Sequence, residues 1–171
     1  FAPSGTHKTV FDGTSQSVQI ANGGATPGSS SYLNDVEIRA GTVQVNAISA
    51  GSPLGTTFAR GALNMIGGTL SGDTLVVLGS VTHGGGAISI GGLSAGAALN
   101  VSGAGFSPAT LILNSGTGGT IPATVPTTNN LVLANGNWVL PANLQVNGDL
   151  TVRGSAALGN YVVRNRDELS T

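Results

Sequence analysis

The chain has 171 residues, no Cys, six basic and seven acidic side chains, and a charged fraction of 8% against roughly 25% in ordinary soluble domains. That balance leaves no basic footprint for nucleic acid and no polybasic segment for an anionic membrane, and no run of apolar residues is long enough for a membrane-spanning helix. Missing Cys removes disulfides, thiolate metal ligands and thiol nucleophiles together. A net charge of −1 with 40% hydrophobic residues is unlike a disordered chain, which combines high net charge with few apolar residues.

In chain order, residues 1–50 hold five of the charges and read as an N-terminal block of two or three ordinary strands, capping the rest of the chain. The chain starts at Phe1 without Met, which reads as a processed product or an excerpt. Asn22-Gly23-Gly24-Ala25-Thr26-Pro27-Gly28 and the three Ser after it read as a loop. From 51 to 160 the apolar residues fall into short alternating triplets such as Leu63-Asn64-Met65, Ile88-Ser89-Ile90, Leu99-Asn100-Val101, Leu144-Gln145-Val146 and Leu150-Thr151-Val152, with Val18-Gln19-Ile20 and Val43-Gln44-Val45 ahead of them. Each is the period-two signature of a half-buried strand. Val76-Val77-Leu78, Leu111-Ile112-Leu113 and Leu131-Val132-Leu133 are apolar throughout, as in strands buried on both faces or at a contact between elements.

Gly67-Gly68, Gly84-Gly85-Gly86, Gly91-Gly92, Gly116-Thr117-Gly118-Gly119 and Asn135-Gly136-Asn137 separate the triplets and predict sharp turns. Triplets starting at Leu63, Leu75, Ile88, Leu99, Leu111 and Leu131 are 12, 13, 11, 12 and 20 residues apart, with a further candidate strand at Ile121. This beat predicts coils of two or three very short strands, supported by loose self-similarity between Leu63-Asn64-Met65 and Leu99-Asn100-Val101, Leu111-Ile112-Leu113 and Leu131-Val132-Leu133, and Val43-Gln44-Val45-Asn46 and Leu144-Gln145-Val146-Asn147. No window keeps a helical apolar stripe clear of Gly and Pro, so almost no helix is expected. No Asp, Glu, Lys or Arg occurs from Thr74 to Gly148, so Ser, Thr, Asn and backbone must wet that surface. Residues 161–171, with Arg164, Arg166, Asp167 and Glu168, read as a charged tail or linker.

The expected fold is all-β, a right-handed β-helix or β-solenoid with short strands, aliphatic inside and Ser/Thr/Asn outside. The alternative is a Gly-rich β-sandwich, whose strands are normally longer.

The stretch from Gly5 to Val18, GTHKTVFDGTSQSV, together with Tyr32-Leu33-Asn34-Asp35-Val36-Glu37-Ile38, resembles a segment of long bacterial secreted or cell-surface proteins that pair Ig-like repeats with Gly/Ser/Thr-rich β arrays. Leu144 to Gly159, LQVNGDLTVRGSAALG, is similar in style to the passengers of adhesins and autotransporters. The resemblance implies an extracellular or bacterial cell-surface location and a structural or adhesive role. It carries no catalytic residues.

The residues agree in offering little chemistry. Asp35 and Glu37 share a strand face and read as partners of Lys8 or Arg39 rather than a catalytic pair. His7 and His83 have no metal-ligand spacing and read as exposed turn or strand-edge residues. Gly67 to Leu75 resembles half of a calcium-binding nonapeptide, but Asp73 is its single carboxylate. Thr pairs at Thr56-Thr57 and Thr127-Thr128 lack the fixed period of an ice-binding ladder. Trp138 and Tyr161 are the aromatic candidates for stacking on a sugar, with core packing the stronger reading for Trp138 in Trp138-Val139-Leu140. No catalytic, cofactor or metal residues are assigned. The expected function is a non-enzymatic structural or adhesive protein that self-associates through solenoid ends or strand edges into a fibre or surface layer. The alternative is a glycan-binding module of a larger adhesin, with surface polysaccharide as ligand and Trp138 as candidate contact.

Overall fold

The computed structural model describes residues 6–21, 32–48, 56–123, 129–140, 144–157 and 163–165. Among them are sixteen strands and no helix. In chain order these are β1 (Lys8–Phe11), β2 (Ser15–Ala21), β3 (Asp35–Ile38), β4 (Thr42–Ile48), β5 (Thr56–Ala59), β6 (Leu63–Met65), β7 (Thr69–Val77) and β8 (Val81–His83). They continue as β9 (Ala87–Ala95), β10 (Leu99–Val101), β11 (Thr110–Thr120), β12 (Asn130–Val139), β13 (Leu144–Val146), β14 (Leu150–Val152), β15 (Ser155–Ala157) and β16 (Val163–Asn165).

Every pairing among these strands is parallel, whereas a β-sandwich is built from antiparallel sheets. One five-stranded sheet runs β1-β3-β6-β8-β10, and a nine-stranded sheet runs β14-β12-β11-β9-β7-β4-β2 with β15 beside β12 and β5 beside β7. β13 and β16 form a third, two-stranded sheet. Parallel neighbours need a crossover between them, and that crossover is usually a helix. Here it is a strand of another sheet: β7 connects β6 to β8, and β8 connects β7 to β9. Both large sheets join strands from before and after residue 50, since β3 pairs with β6 and β4 with β7.

The register gives the repeat. Leu63 lies opposite Val81 and Val81 opposite Leu99, a step of 18 residues each time. The same step joins Leu70 to Ile88, Leu75 to Leu93 and Leu93 to Leu111. It lengthens to 27 between Val36 and Leu63, and to 20 between Leu111 and Leu131. The 11- to 13-residue spacings of the triplets are therefore shorter than the 18-residue step between paired strands, so successive triplets fall at different positions of the repeat.

Alternation along each short strand turns this register into continuous inner columns. One runs Val36, Leu63, Val81, Leu99, and another Leu75, Leu93, Leu111, Leu131; all of these are buried. Each fully buried aliphatic side chain contributes about 1.5–3 kcal/mol relative to exposure, so a one-residue slip would cost a whole column. Of the outward members of the all-apolar triplets, Val76, Ile112 and Val132 are half-buried on the other face and Leu78 is exposed.

Three of the expected turns are corrected. Gly91-Gly92, Gly116 to Gly119 and Asn135-Gly136-Asn137 lie inside β9, β11 and β12, so strands of nine to eleven residues replace the expected triplets there. Two short strands fuse across each glycine, and β11 absorbs the bend as register shifts against β12. Gly67-Gly68 and Gly84 to Gly86 do form corners. Gly68 and Gly86 have φ of +70° and +84°, and a Cβ on Gly86 would sit 2.4 Å from the Gly68 carbonyl oxygen. Only glycine lets successive corners stack this closely.

The 22–31 segment, Tyr161, Thr127-Thr128, Arg166, Asp167 and Glu168 lie outside the described residues. Arg164 belongs to β16.

Candidate functional site

Lys8, Asp35, Glu37 and Arg39 gather at the start of the five-stranded sheet. Glu37 points away from Val36 and Ile38, yet its side chain is only 5% exposed because Lys8 Nζ donates to Oε2 at 2.8 Å and Arg39 Nε to Oε1 at 2.5 Å. Lys8 from the facing strand β1 and Arg39 just beyond β3 thus occupy both carboxylate oxygens. Asp35 is engaged separately, accepting from the Ala62 backbone N–H at 2.8 Å. Each acid has a structural partner, and the two carboxylates hold different neighbours.

The hydrogen bond from Lys8, then that from Arg39, hold the Glu37 carboxyl below the usual glutamate range, against the opposing effect of burial. A depressed value in the folded state contributes stability that is present above the unfolded value of about 4.3 and is lost as pH falls through the folded one. Acid titration of unfolding is expected to show this loss below about pH 4.3, and Glu37→Gln to flatten it. The effect will be small and salt-sensitive, because Lys8 and Arg39 are each more than half exposed.

The two histidines occupy opposite environments. His7 is exposed, and its carbonyl accepts from Asp35 N–H. His83 corrects the expectation of an exposed edge residue: it is fully buried, in the inner column between Met65 and Val101. Its ring packs edge-on to Phe106 with centroids 5.6 Å apart; Nε2 lies 3.3 Å from the Gly86 carbonyl oxygen, while Nδ1 has no hydrogen-bond partner among the described residues. The signal was present in sequence, since His83 stands 18 residues after Met65 and 18 before Val101. Among the described residues no three His, Asp or Glu side chains come together as a metal set, and Asp73 is exposed beside the bend at Gly72.

Trp138 is 1% exposed, stacked in register between Gly119 and Ala156. Its Nε1–H donates to the Asn135 carbonyl at 2.7 Å. A Cβ on Gly119 would meet the ring at 3.3 Å, so the absent side chain there makes room for the indole. With its ring enclosed and its polar atom bonded, Trp138 offers no open platform to a sugar.

A concave apolar feature lies at the β14 end of the nine-stranded sheet. It encloses about 250 Å³ between Ile121, Leu131, Leu133, Leu144, Leu150 and Val152. Leu150 and Val152 sit in register on buried Leu131 and Leu133 but remain 40% and 47% exposed. At the other end Phe11 and Leu33 are each 8% exposed, so the two ends differ. Sequence reading identified Leu150-Thr151-Val152 as a strand but not as an uncovered one. The triplet looks like every other, and its exposure depends on whether another strand covers it in space.

No helix among the described residues is long and apolar enough to cross a membrane. No family model, curated protein or solved structure matches the chain.

Proposed function

We propose that the chain is a right-handed β-solenoid serving as a non-enzymatic structural or adhesive protein of the bacterial surface or extracellular space, associating through its ends or strand edges. The observation that carries this reading is the 18-residue register, in which each strand is covered by the strand one repeat later and the connections are themselves strands. Such an arrangement supports a solenoid coil, and the strong preference of parallel crossovers supports the right hand. Its coils bury aliphatic columns and, from Thr74 to Gly148, leave an exterior without formal charge. A chain of this kind suits a rigid surface element better than acid–base chemistry, which requires converging titratable groups.

The column Leu33, Ala59, Val77, Ala95, Leu113, Leu133, Val152 has seven rungs, giving a stack of roughly 30 Å at about 4.8 Å per rung. Small-angle scattering and electron micrographs over a wide concentration range test the reading. Particles that lengthen in steps of roughly 30 Å at constant width support association through the ends. A particle that stays monomeric to high concentration removes it and directs attention to ligands of the lateral faces.

A further inference from the structure

Among the described residues, His83 alone carries a buried side-chain nitrogen or oxygen without a hydrogen-bond partner. Its other ring nitrogen, Nε2, lies 3.3 Å from the Gly86 carbonyl oxygen, which can only accept, so that contact assigns the ring proton to Nε2 and the lone pair to Nδ1. Imidazoles that bind metals are held in the same way, by donating the opposite ring N–H to a carbonyl or carboxylate.

The preceding rung supplies a second donor atom. Met65 lies opposite His83 in register, and both side chains are inward and fully buried, on backbones about 4.8 Å apart. Met65 is the sole methionine of the chain, and a thioether is a soft ligand that favours Cu(I). Its unbranched stem lets the sulfur adjust toward Nδ1 without moving the backbone. The remaining neighbours in the column, Ile38 and Val101, offer no ligand atom in their side chains, and the acids of β3, Asp35 and Glu37, already hold other partners. His83 stands immediately before the corner Gly84-Gly85-Gly86, where Gly84 and Gly86 are exposed and the corner itself has no side chains to close it.

We infer that Nδ1 of His83 and the sulfur of Met65 form a two-donor site for a soft monovalent cation, Cu(I). Both ligands are neutral and leave the charge of the ion uncompensated among apolar side chains. That cost rises with the square of the charge, which disfavours divalent ions. Two donors complete a linear Cu(I) site, whereas a structural zinc takes four. The site depends on the register between β6 and β8 and not on any assembly of the chain.

The full chain is titrated under nitrogen into Cu(I) held by bicinchoninate, whose visible absorbance falls as copper is withdrawn. Withdrawal of a single equivalent is expected, with excess Zn2+ displacing none of it. Met65→Leu conserves core volume, so it should keep the fold while weakening binding at least about tenfold, and His83→Leu should abolish binding. In NMR spectra the lone methionine methyl and the ring nitrogens of His83 should shift together as copper is added, with His7 unmoved. X-ray absorption of the loaded chain should show one nitrogen and one sulfur neighbour. Should His83→Leu fail to fold, Met65→Leu with an unchanged thermal midpoint decides alone. No withdrawal of copper, withdrawal that Met65→Leu leaves unchanged, or shifts confined to His7 would each overturn the site.

Discussion

Replacing Gly86 with alanine is expected to destabilise the chain by about 2–4 kcal/mol, although the residue lies at an exposed corner. Two costs combine. With φ at +84° an L-residue pays about 1–2 kcal/mol for the left-handed conformation alone. The new methyl would also lie 2.4 Å from the Gly68 carbonyl oxygen and 2.7 Å from the Gly67 carbonyl carbon, both backbone atoms that no rotamer change can move. The Gly68 carbonyl is already committed, accepting from Ala87 N–H at 2.8 Å, so relief must come from spreading two corners. Gly116→Ala is the matched control, because nothing lies within 4 Å of its added methyl. It should fall within about 0.5 kcal/mol of the parent, on the stabilising side if the unfolded chain loses freedom. Thermal unfolding of the pair decides it: a drop of roughly 5–15 °C at Gly86 with little change at Gly116 is expected, and equal shifts would mean the corners are not stacked as described.

The corners show what was legible in the sequence and what was not. Gly-Gly pairs flanked by period-two triplets announce tight turns between short strands, and at Gly67-Gly68 and Gly84 to Gly86 the chain does turn. Identical dipeptides at Gly91-Gly92 sit within one nine-residue strand, because a glycine permits a corner without requiring one. Alternation is a local property and reports which residues face inward. It does not say which strand covers which, and that pairing is set by the 18-residue register. Aligning the chain on that period puts His83 in line with Met65 and Val101 and so inside, whereas its neighbours in sequence, Thr82 and Gly84, suggest a turn. The uncovered pair at Leu150 and Val152 is a different kind of omission. Its triplet is indistinguishable from Leu144-Gln145-Val146; the difference is that β16 pairs with β13, whereas β12 is the one described partner of β14.

Trp138→Ala is expected to cost about 3–5 kcal/mol of folding stability, the range for truncating a large buried aromatic. The indole is the largest of the fully buried side chains, and it fills the space between Gly119 and Ala156, neither of which can expand to replace it. Deleting it leaves a cavity and strips the Asn135 carbonyl of its Nε1 donor. Trp138→Phe separates these contributions. It keeps part of the packing but cannot donate, so the unpaired carbonyl and the lost ring volume together should cost about 1–3 kcal/mol. The order wild type, Phe, Ala in midpoint denaturant concentration is the expected result. A tryptophan that served instead as a sugar platform would behave oppositely, with Ala tolerated in stability and both variants weakened in glycan binding. Intrinsic fluorescence reports on the same question without mutation, since Trp138 is the sole tryptophan in the chain. Enclosed in an aliphatic column, it should emit at short wavelength and resist aqueous quenchers until the chain unfolds; an emission already red-shifted in the native protein would contradict its burial. Because Gly119 and Ala156 belong to the neighbouring strands β11 and β15, the loss of fluorescence shift on unfolding reads the separation of three paired strands around one side chain.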